Sequence, residues 1–178
     1  YVEDEPLRFD PGTDFRYSNS DNIAVGLIIE AATGEEYADV LGSMVRSPLG
    51  LRQTQLPVGA GIQHPAIRGY DVSEDPPEDL TEIAAAGWSW ASGGIVSTPN
   101  NLNRFIRGYL DGSLFGPAVQ EAQLELFPGA HSEPPGPGAN AAGLGIFRYR
   151  TRCGTVYGHT GNIFGYTQFA AANRTGTR

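Results

Sequence analysis

The stretch Gly158-His159-Thr160-Gly161-Asn162 lies near the end of the chain, between Thr155-Val156-Tyr157 and the run 164–169, FGYTQF. β-Branched and aromatic residues on both sides favour strands, and the glycines mark positions where backbones come close together. The pattern therefore predicts the inner strand of an antiparallel hairpin.

Two side chains of this predicted strand could bind an anion. At its accessible end, the ring of His159 and the hydroxyl of Thr160 could hold a carboxylate. Gly161 has no side chain, so a ligand backbone could lie against it as an added strand. A histidine on an ordinary sheet edge explains the tripeptide as well, so it needs support from elsewhere in the chain.

A second motif occupies residues 9–19, FDPGTDFRYSN. Pro11-Gly12 marks a turn, and the short run 15–17 reads as extended chain. Residues 18–22, SNSDN, supply side chains that cap the start of a helix. A tyrosine packed in a loop before an ordinary helix cap is the alternative.

Taken together, Tyr17-Ser18-Asn19 before an apolar helix and His159-Thr160-Gly161 resemble the penicillin-recognising serine hydrolases. These are the class C β-lactamases, the serine D-alanyl-D-alanine carboxypeptidases and their esterase relatives. His-Thr-Gly, where many members carry Lys-Thr-Gly, is most similar to the secreted actinobacterial carboxypeptidase branch. The similarity extends through PLGL at 48–51 and ASGGIVST at 91–98 to the closing hairpin.

The order of the predicted elements indicates an α+β fold. An apolar helix over 23–32, expected to be buried in the middle of the domain, is followed by helices near 37–45, 99–110 and 117–126. Strands are predicted at 143–149, around His159 and at 166–172, after a proline- and glycine-rich mobile connection over 128–138. The resemblance implies a fragment of the β-lactamase/transpeptidase-like fold, a helical region followed by an antiparallel sheet of at least three strands.

Composition limits the classes of partner. The 178 residues carry a net charge of −8, which disfavours nucleic acid, and no apolar run approaches a membrane span. His64, His131 and His159 are dispersed, so no metal site is predicted. We expect a small-molecule or peptide substrate, a D-alanyl peptide or a β-lactam, no cofactor and a monomer.

The sequence has no lysine. The resembled family uses a Ser-x-x-Lys helix, whose serine attacks the carbonyl carbon and whose lysine helps to deprotonate it. We therefore expect 1–178 to be a partial domain that lacks this N-terminal segment and a C-terminal strand and helix. The fragment alone is expected to be inactive.

The resemblance assigns catalytic roles to Tyr17, Asn19 and His159. Tyr17 would relay a proton to the leaving amine or accept one from the attacking water, and a neighbouring cation would favour its phenolate. Asn19 would orient the substrate amide. His159 would bind the substrate carboxylate, so binding should weaken as pH rises through the range in which histidine titrates. These roles require Tyr17 and His159 to face a common cavity.

The resemblance also assigns substrate-binding residues. Thr160 would share the carboxylate, Gly161 would leave room for the substrate chain, and the backbone N–H of Asn162 would form half of an oxyanion hole. Trp90 would provide a flat apolar wall, although both Trp88 and Trp90 could instead be core residues.

Three functions remain in competition. The first is a serine acyl-transfer hydrolase acting on D-alanyl-D-alanine peptides, a penicillin-binding carboxypeptidase of peptidoglycan. The second is a β-lactamase or esterase on the same scaffold, and the third is an inactive binding or sensor domain. The family implies a secreted or cell-envelope location.

Overall fold

The computed structural model describes residues 6–59, 62, 65–73, 75–82 and 86–178. The helical part comes first, as predicted. Its elements are α1 (Asn19–Thr33), α2 (Tyr37–Leu41), a π-helical turn (Gly42–Arg46), a 3₁₀ segment (Ala86–Ser92), α3 (Pro99–Asp111) and α4 (Pro117–Gln123).

Two groups of strands accompany the helices. The strands are β1 (Tyr70–Asp71), β2 (Glu78–Asp79), β3 (Phe127–Pro128), β4 (Asn140–Ala142), β5 (Phe147–Thr151), β6 (Gly154–Ile163) and β7 (Tyr166–Ala172). The pair β1 and β2 forms a small antiparallel hairpin. The other five form one antiparallel sheet in the order β3-β4-β5-β6-β7, which confirms the predicted α+β architecture with at least three strands.

The start of β5 differs from the prediction. Residues 143–146 were expected to be strand, but they form the turn between β4 and β5, in which the Gly143 N–H donates to the carbonyl of Ile146. Gly145 in that turn has a φ of 70°, a left-handed conformation that glycine adopts readily. The strand therefore begins at Phe147.

Both ends of α1 are capped by the residues that the sequence predicts. The Ser18 hydroxyl accepts a hydrogen bond from the Asp21 N–H, and Gly34, with a φ of 72°, donates its N–H to the carbonyl of Glu30. These caps fix Asn19 as the first helical residue, two positions after Tyr17.

The expectation that α1 is buried is wrong. Only Gly26 of this helix is buried, whereas Val25, Leu27 and Ile28 are 52%, 56% and 64% exposed. The segments that pack on α1 are α2 and the 3₁₀ segment. Two short neighbours cannot cover a helix that is apolar on nearly every side, so much of its surface faces solvent.

The five-stranded sheet has a hydrophobic cluster on each face. Val156 and Tyr157 are consecutive on β6, so their side chains point to opposite faces, and each belongs to a different cluster. Tyr157 packs on the cluster formed with α3, which contains Ile106, Tyr109, Leu110, Ile146 and Ala172. Val156 packs on the other, which contains Ala130, Ala142, Phe147 and Tyr149 together with Phe15 and Tyr17.

Among the described residues, no helix combines the length and the apolar character needed to cross a membrane.

The contact between α1 and the 3₁₀ segment gives a first prediction. A Cβ atom at Gly26 would lie 2.8 Å from Ala91 Cβ and 2.8 Å from Trp90 Cζ3. We expect Gly26→Ala to lower the free energy of unfolding by about 1–3 kcal/mol, because it forces the two segments apart. Urea denaturation followed by circular dichroism measures the change.

Gly42→Ala is the matched control. Gly42 has helical backbone angles, and a Cβ there meets nothing within 4 Å. Alanine should therefore leave stability unchanged or raise it slightly. Equal effects of the two substitutions would contradict the packing argument.

Candidate functional site

The structure brings Tyr17 and His159 together. Their ring centroids are 5.9 Å apart, and both rings contact Phe147, with centroid distances of 6.4 Å from Tyr17 and 5.0 Å from His159. Phe15 packs edge-on against the same phenylalanine at 5.9 Å. Phe147 therefore joins the N-terminal motif to the histidine strand across 142 positions of sequence.

The strand that carries His159 has one edge available beside this cluster. The pairing of β5 with β6 ends at Phe147 and Gly158, whereas β7 continues to pair with β6 as far as Ile163. Over 159–163, the registers within the described residues pair β6 with β7 alone. A backbone could add along this edge as a further strand.

The ring of His159 is oriented by its own strand. Its Nδ1 is within hydrogen-bond distance of the Thr160 carbonyl oxygen. A carbonyl oxygen only accepts, so Nδ1 carries the hydrogen in this contact, and Nε2 is the other ring position available to a ligand. A protonated ring would donate from Nε2 to a carboxylate.

The pKa of Tyr17 is raised above the ordinary value for tyrosine. Burial is the largest cause, followed by the negative charge of Glu133 and the neighbouring Tyr149. All three causes disfavour the phenolate. Within the described residues, Tyr17 is therefore a neutral phenol near pH 7, and a phenolate would need a cation beyond the groups that now surround the ring.

A cavity of about 640 Å³ lies next to Tyr17, between the segment 8–17 and the loop 129–133. The charged residues that line it have both signs, namely Arg8 and Arg16 together with Asp14 and Glu133. Tyr17 thus lies between the His159 ring and a polar opening.

Thr160 occupies a different environment from the one predicted. The residue is only 7% exposed, and its hydroxyl lies 2.8 Å from Ser132 Oγ and 2.7 Å from the carbonyl oxygen of Pro134. Ser132 Oγ in turn lies 3.0 Å from the hydroxyl of Tyr149. The single hydroxyl hydrogen of Thr160 is donated into the protein, so its role as a direct carboxylate donor receives no support from this geometry.

The space above Gly161 is occupied. A Cβ atom there would meet the side chain of Gln168, its partner on β7, at 2.3 Å from Nε2. The Gln168 amide therefore lies over Gly161, and a ligand chain laid over this face of Gly161 would have to displace that amide. The predicted role of Gly161 in leaving room for substrate remains a prediction.

The two asparagines lie at the surface. Asn19 is exposed at the first position of α1. Asn162 is exposed near the tip of the β6–β7 hairpin, and its Oδ1 accepts a hydrogen bond from the Thr167 hydroxyl at 3.0 Å. Their roles in orienting the substrate amide and in an oxyanion hole remain predictions.

Trp90 packs against the helical part of the molecule. Its ring lies 5.1 Å from that of Tyr37 and directly over Gly26. Its backbone has a φ of 39° and a ψ of −119°, a strained conformation for a bulky residue that is often found at functional sites. The predicted role of Trp90 as an apolar wall for the substrate remains a prediction. Trp88, by contrast, is 65% exposed and lines a groove together with Asn162.

Sequence reasoning missed several residues of this region. Ser132 and Tyr149, both fully buried, form the hydroxyl cluster that includes Thr160. The charge of Glu133 raises the pKa of Tyr17, and the side chain of Gln168 lies over Gly161. The alternation of β5 could have placed Tyr149 in the core. No periodicity marks Ser132 or Glu133, which lie in a proline-rich segment.

No group of three or more histidine, cysteine, aspartate or glutamate side chains in the described ranges is placed to hold a metal ion. His64 lies outside those ranges.

The environment of Tyr17 gives a second prediction. Because the charge of Glu133 raises the pKa of Tyr17, Glu133→Gln should lower that pKa, and burial should still keep it above the ordinary value. The absorbance of tyrosinate near 295 nm is titrated against pH with and without Glu133→Gln, and the curve of the corresponding protein with Tyr17→Phe is subtracted from each. The difference is the titration of Tyr17 alone. Glu121→Gln, on α4, is the control, and an unchanged Tyr17 pKa in Glu133→Gln would contradict the assignment.

The hydroxyl cluster gives a third prediction. Thr160→Val removes a buried hydrogen-bonding group, so we expect a loss of about 1–3 kcal/mol in the free energy of unfolding. Thr160→Ser keeps the hydroxyl and should retain most of the stability. If valine and serine have the same effect in urea denaturation, the cluster does not stabilise the strand.

Comparison with known proteins identifies the family. The Beta-lactamase family model matches residues 1–177. A D-stereospecific amidohydrolase from Streptomyces sp. superposes with a TM-score of 0.81 and 28% identity, covering 94% of this chain and 49% of that one. The D-amino acid amidase from Ochrobactrum anthropi SV3, complexed with L-phenylalanine amide, gives a TM-score of 0.76 and 28% identity over 92% of this chain and 48% of that one.

This chain matches a smaller part of a curated relative. The mitochondrial serine beta-lactamase-like protein LACTB from Bos taurus is 27% identical over 127 residues, which are 71% of this chain and 22% of that protein. The chain thus spans about half of the two solved structures and less than a quarter of this relative. Because the family model matches nearly every residue, the chain belongs to the Beta-lactamase family, whose members are serine hydrolases and their relatives.

Proposed function

We propose that this chain forms part of a serine acyl-transfer hydrolase that acts on D-alanyl-D-alanine peptides and binds penicillin. The proposal rests above all on one observation. Tyr17 and His159, which are distant in sequence, lie 5.9 Å apart at the available edge of β6.

The nucleophile in this proposal lies outside the 178 residues. A serine activated by lysine is required for acylation, and the sequence contains no lysine. We propose that the Ser-x-x-Lys segment, and a C-terminal strand and helix, come from other parts of the same polypeptide, so that 1–178 is a partial domain.

Acylation proceeds as follows in the proposed mechanism. The serine oxygen bonds to the substrate carbonyl carbon, and the C–N bond of the amide breaks. Tyr17 passes its proton to the leaving amine and receives the serine proton, by way of the lysine. A neutral Tyr17 suits the first of these transfers, since a phenol with a raised pKa enters the reaction protonated.

The remaining residues orient the substrate. Nε2 of a protonated His159 donates to the terminal carboxylate, and the Asn19 amide holds the amide of the substrate. The N–H of Asn162 and that of the serine stabilise the developing oxyanion. Thr160 acts chiefly by holding the backbone of β6 in place through its contacts with Ser132 and Pro134.

A second candidate is a D-amino acid amidase. Two of the solved relatives are described as a D-stereospecific amidohydrolase and a D-amino acid amidase. This alternative keeps the same serine chemistry but needs no terminal carboxylate on the substrate. A β-lactamase or esterase on the same scaffold and an inactive binding domain are further alternatives.

The test compares substrates on the full gene product that carries this sequence. A D-alanyl-D-alanine peptide, a D-amino acid amide, nitrocefin and a short-chain ester are assayed side by side. Mass spectrometry then detects the acyl-enzyme formed with penicillin. Release of D-alanine with a penicillin adduct supports the carboxypeptidase, whereas absence of any adduct and any turnover supports the binding domain.

The fourth prediction concerns Tyr17 in that full gene product. Tyr17→Phe should reduce the acylation rate about 10²–10⁴-fold, because the phenol transfers protons in the transition state. Tyr157→Phe, on the opposite face of β6, should leave the rate unchanged. Stopped-flow measurement of penicillin acylation gives both rates, and an undiminished rate in Tyr17→Phe would remove it from the mechanism.

We also propose a secreted or cell-envelope location, where peptidoglycan peptides are found. Fractionation of the producing cells, followed by detection of the protein with an antibody, tests this location.

A further inference from the structure

The loop between β3 and β4 contacts the histidine strand through one buried serine. Ser132 is fully buried, and its Oγ lies 2.8 Å from Thr160 Oγ1, 2.9 Å from the Pro134 carbonyl oxygen and 3.0 Å from the Tyr149 hydroxyl. The Pro134 carbonyl is also within reach of the Thr160 hydroxyl, at 2.7 Å. Ser132 therefore contacts both Thr160 and the other hydrogen-bond partner of Thr160.

The backbone of this loop lies directly on the sheet. A Cβ atom at Gly136 would lie 2.1 Å from Cε1 of Tyr149, and a Cβ atom at Gly138 would lie 1.7 Å from the Arg150 carbonyl oxygen. Contacts this close leave no room for a side chain at either glycine. Ser132 is thus part of a loop that is packed against β5, the strand next to β6.

This contact matters because β6 has a single strand neighbour at Thr160. The pairing of β5 with β6 ends at Phe147 and Gly158, and within the described residues only β7 pairs with β6 from His159 onward. A backbone held by fewer hydrogen bonds opens more easily. The hydrogen bonds of the Thr160 side chain therefore supply support that a second neighbouring strand would otherwise give.

The backbone supported in this way carries the acceptor of the histidine ring. The Thr160 carbonyl oxygen is the group that Nδ1 of His159 contacts. A neutral imidazole has one N–H, so a hydrogen on Nδ1 leaves Nε2 as an acceptor. An acceptor cannot bind a carboxylate. The ring can donate from Nε2 in this orientation only when it is protonated.

We propose that Ser132 is a positioning residue for His159. By holding Thr160, Ser132 keeps the Thr160 carbonyl at Nδ1, so that only the protonated ring binds a carboxylate. The carboxylate ligand is taken from the proposed function, on which this part of the inference rests. The position of the hydrogen on the neutral ring depends on the protein alone.

Several other titratable or charged groups surround the ring. Tyr17 contacts it, and burial, Glu133 and Tyr149 raise the pKa of Tyr17. On the side of β7, the residue opposite His159 is an alanine, Ala170. The other charged or titratable residues on the segment before α1, on the loop 129–134 and on β5 are Arg8, Asp14, Arg16, His131, Arg148 and Arg150. All of these groups are present in every variant below, so a difference between variants does not come from them.

The experiment locates the hydrogen on the His159 ring in the full gene product. Two-bond ¹H–¹⁵N correlation spectra, recorded above the pH range in which histidine titrates, distinguish the two neutral forms of the ring. The signals are assigned by their loss in His159→Gln. We expect the hydrogen on Nδ1 in the unmodified protein, and we expect Ser132→Ala to introduce the form with the hydrogen on Nε2.

Further variants grade this effect. Thr160→Val removes the hydrogen bonds to both Ser132 and Pro134, so it should shift the ring further toward the Nε2 form, whereas Thr160→Ser should keep the hydrogen on Nδ1. Ser97→Ala is the matched control, because Ser97 Oγ lies 2.8 Å from Thr54 Oγ1 in a different hydroxyl pair, before α3. It should leave the ring unchanged.

Carboxylate binding gives a second measurement. The probe is N-acetyl-D-alanine, and its Kd is measured by calorimetry at a series of pH values. In the unmodified protein, Kd should rise about tenfold per pH unit above the range in which histidine titrates, because binding requires the protonated ring. In Ser132→Ala the rise should level off, since a neutral ring with its hydrogen on Nε2 can also donate.

Three results would overturn the positioning role of Ser132. They are a hydrogen on Nε2 in the unmodified protein, an unchanged ring in both Ser132→Ala and Thr160→Val, and an equal change of the ring in Ser97→Ala. Absence of N-acetyl-D-alanine binding at every pH would overturn the carboxylate part of the inference. Absence of hydrolysis in the substrate assays, with the ring results as expected, would count against the proposed function alone.

Discussion

The packing of three aromatic rings around Phe147 is the constraint on which the site depends. Phe15, Tyr17 and His159 all contact that ring, so the loop before α1 and the strand β6 are fixed to each other by one buried side chain. Phe147 is also the first residue of β5, and its pair with Gly158 is the end of the β5–β6 pairing nearest His159. The residue that anchors the tyrosine thus stands where the edge of β6 becomes available.

A second set of contacts holds the same strand through hydrogen bonds. Thr160, Ser132 and Tyr149 form a buried series of hydroxyl groups that joins β6 to the loop before β4. Buried hydroxyls are costly unless each has a partner. Once satisfied, such a group permits few alternative arrangements of the strand. The histidine therefore sits on a backbone that is supported both by apolar packing and by hydrogen bonds.

Much of this arrangement could be predicted from sequence, because it depends on local signals. The cap formed by Ser18 and the hairpin around His159 follow from residue type and spacing. The burial of α1 could not be predicted, since apolar composition does not tell how many neighbours are present to cover a helix. Trp88 and Trp90 are equally hard to distinguish, because the positive φ of Trp90 breaks any periodic assignment of faces.

The position of Gln168 has a kinetic consequence. Its amide rests over Gly161 on one face of the sheet, whereas a further strand would add at the edge of β6 that β7 does not pair with. Glutamine has several rotamers of similar energy, so the amide can swing away on the timescale of side-chain motion, which is far faster than the turnover of most enzymes. The amide of Gln168 can therefore leave this face of Gly161 without slowing the entry of a ligand there.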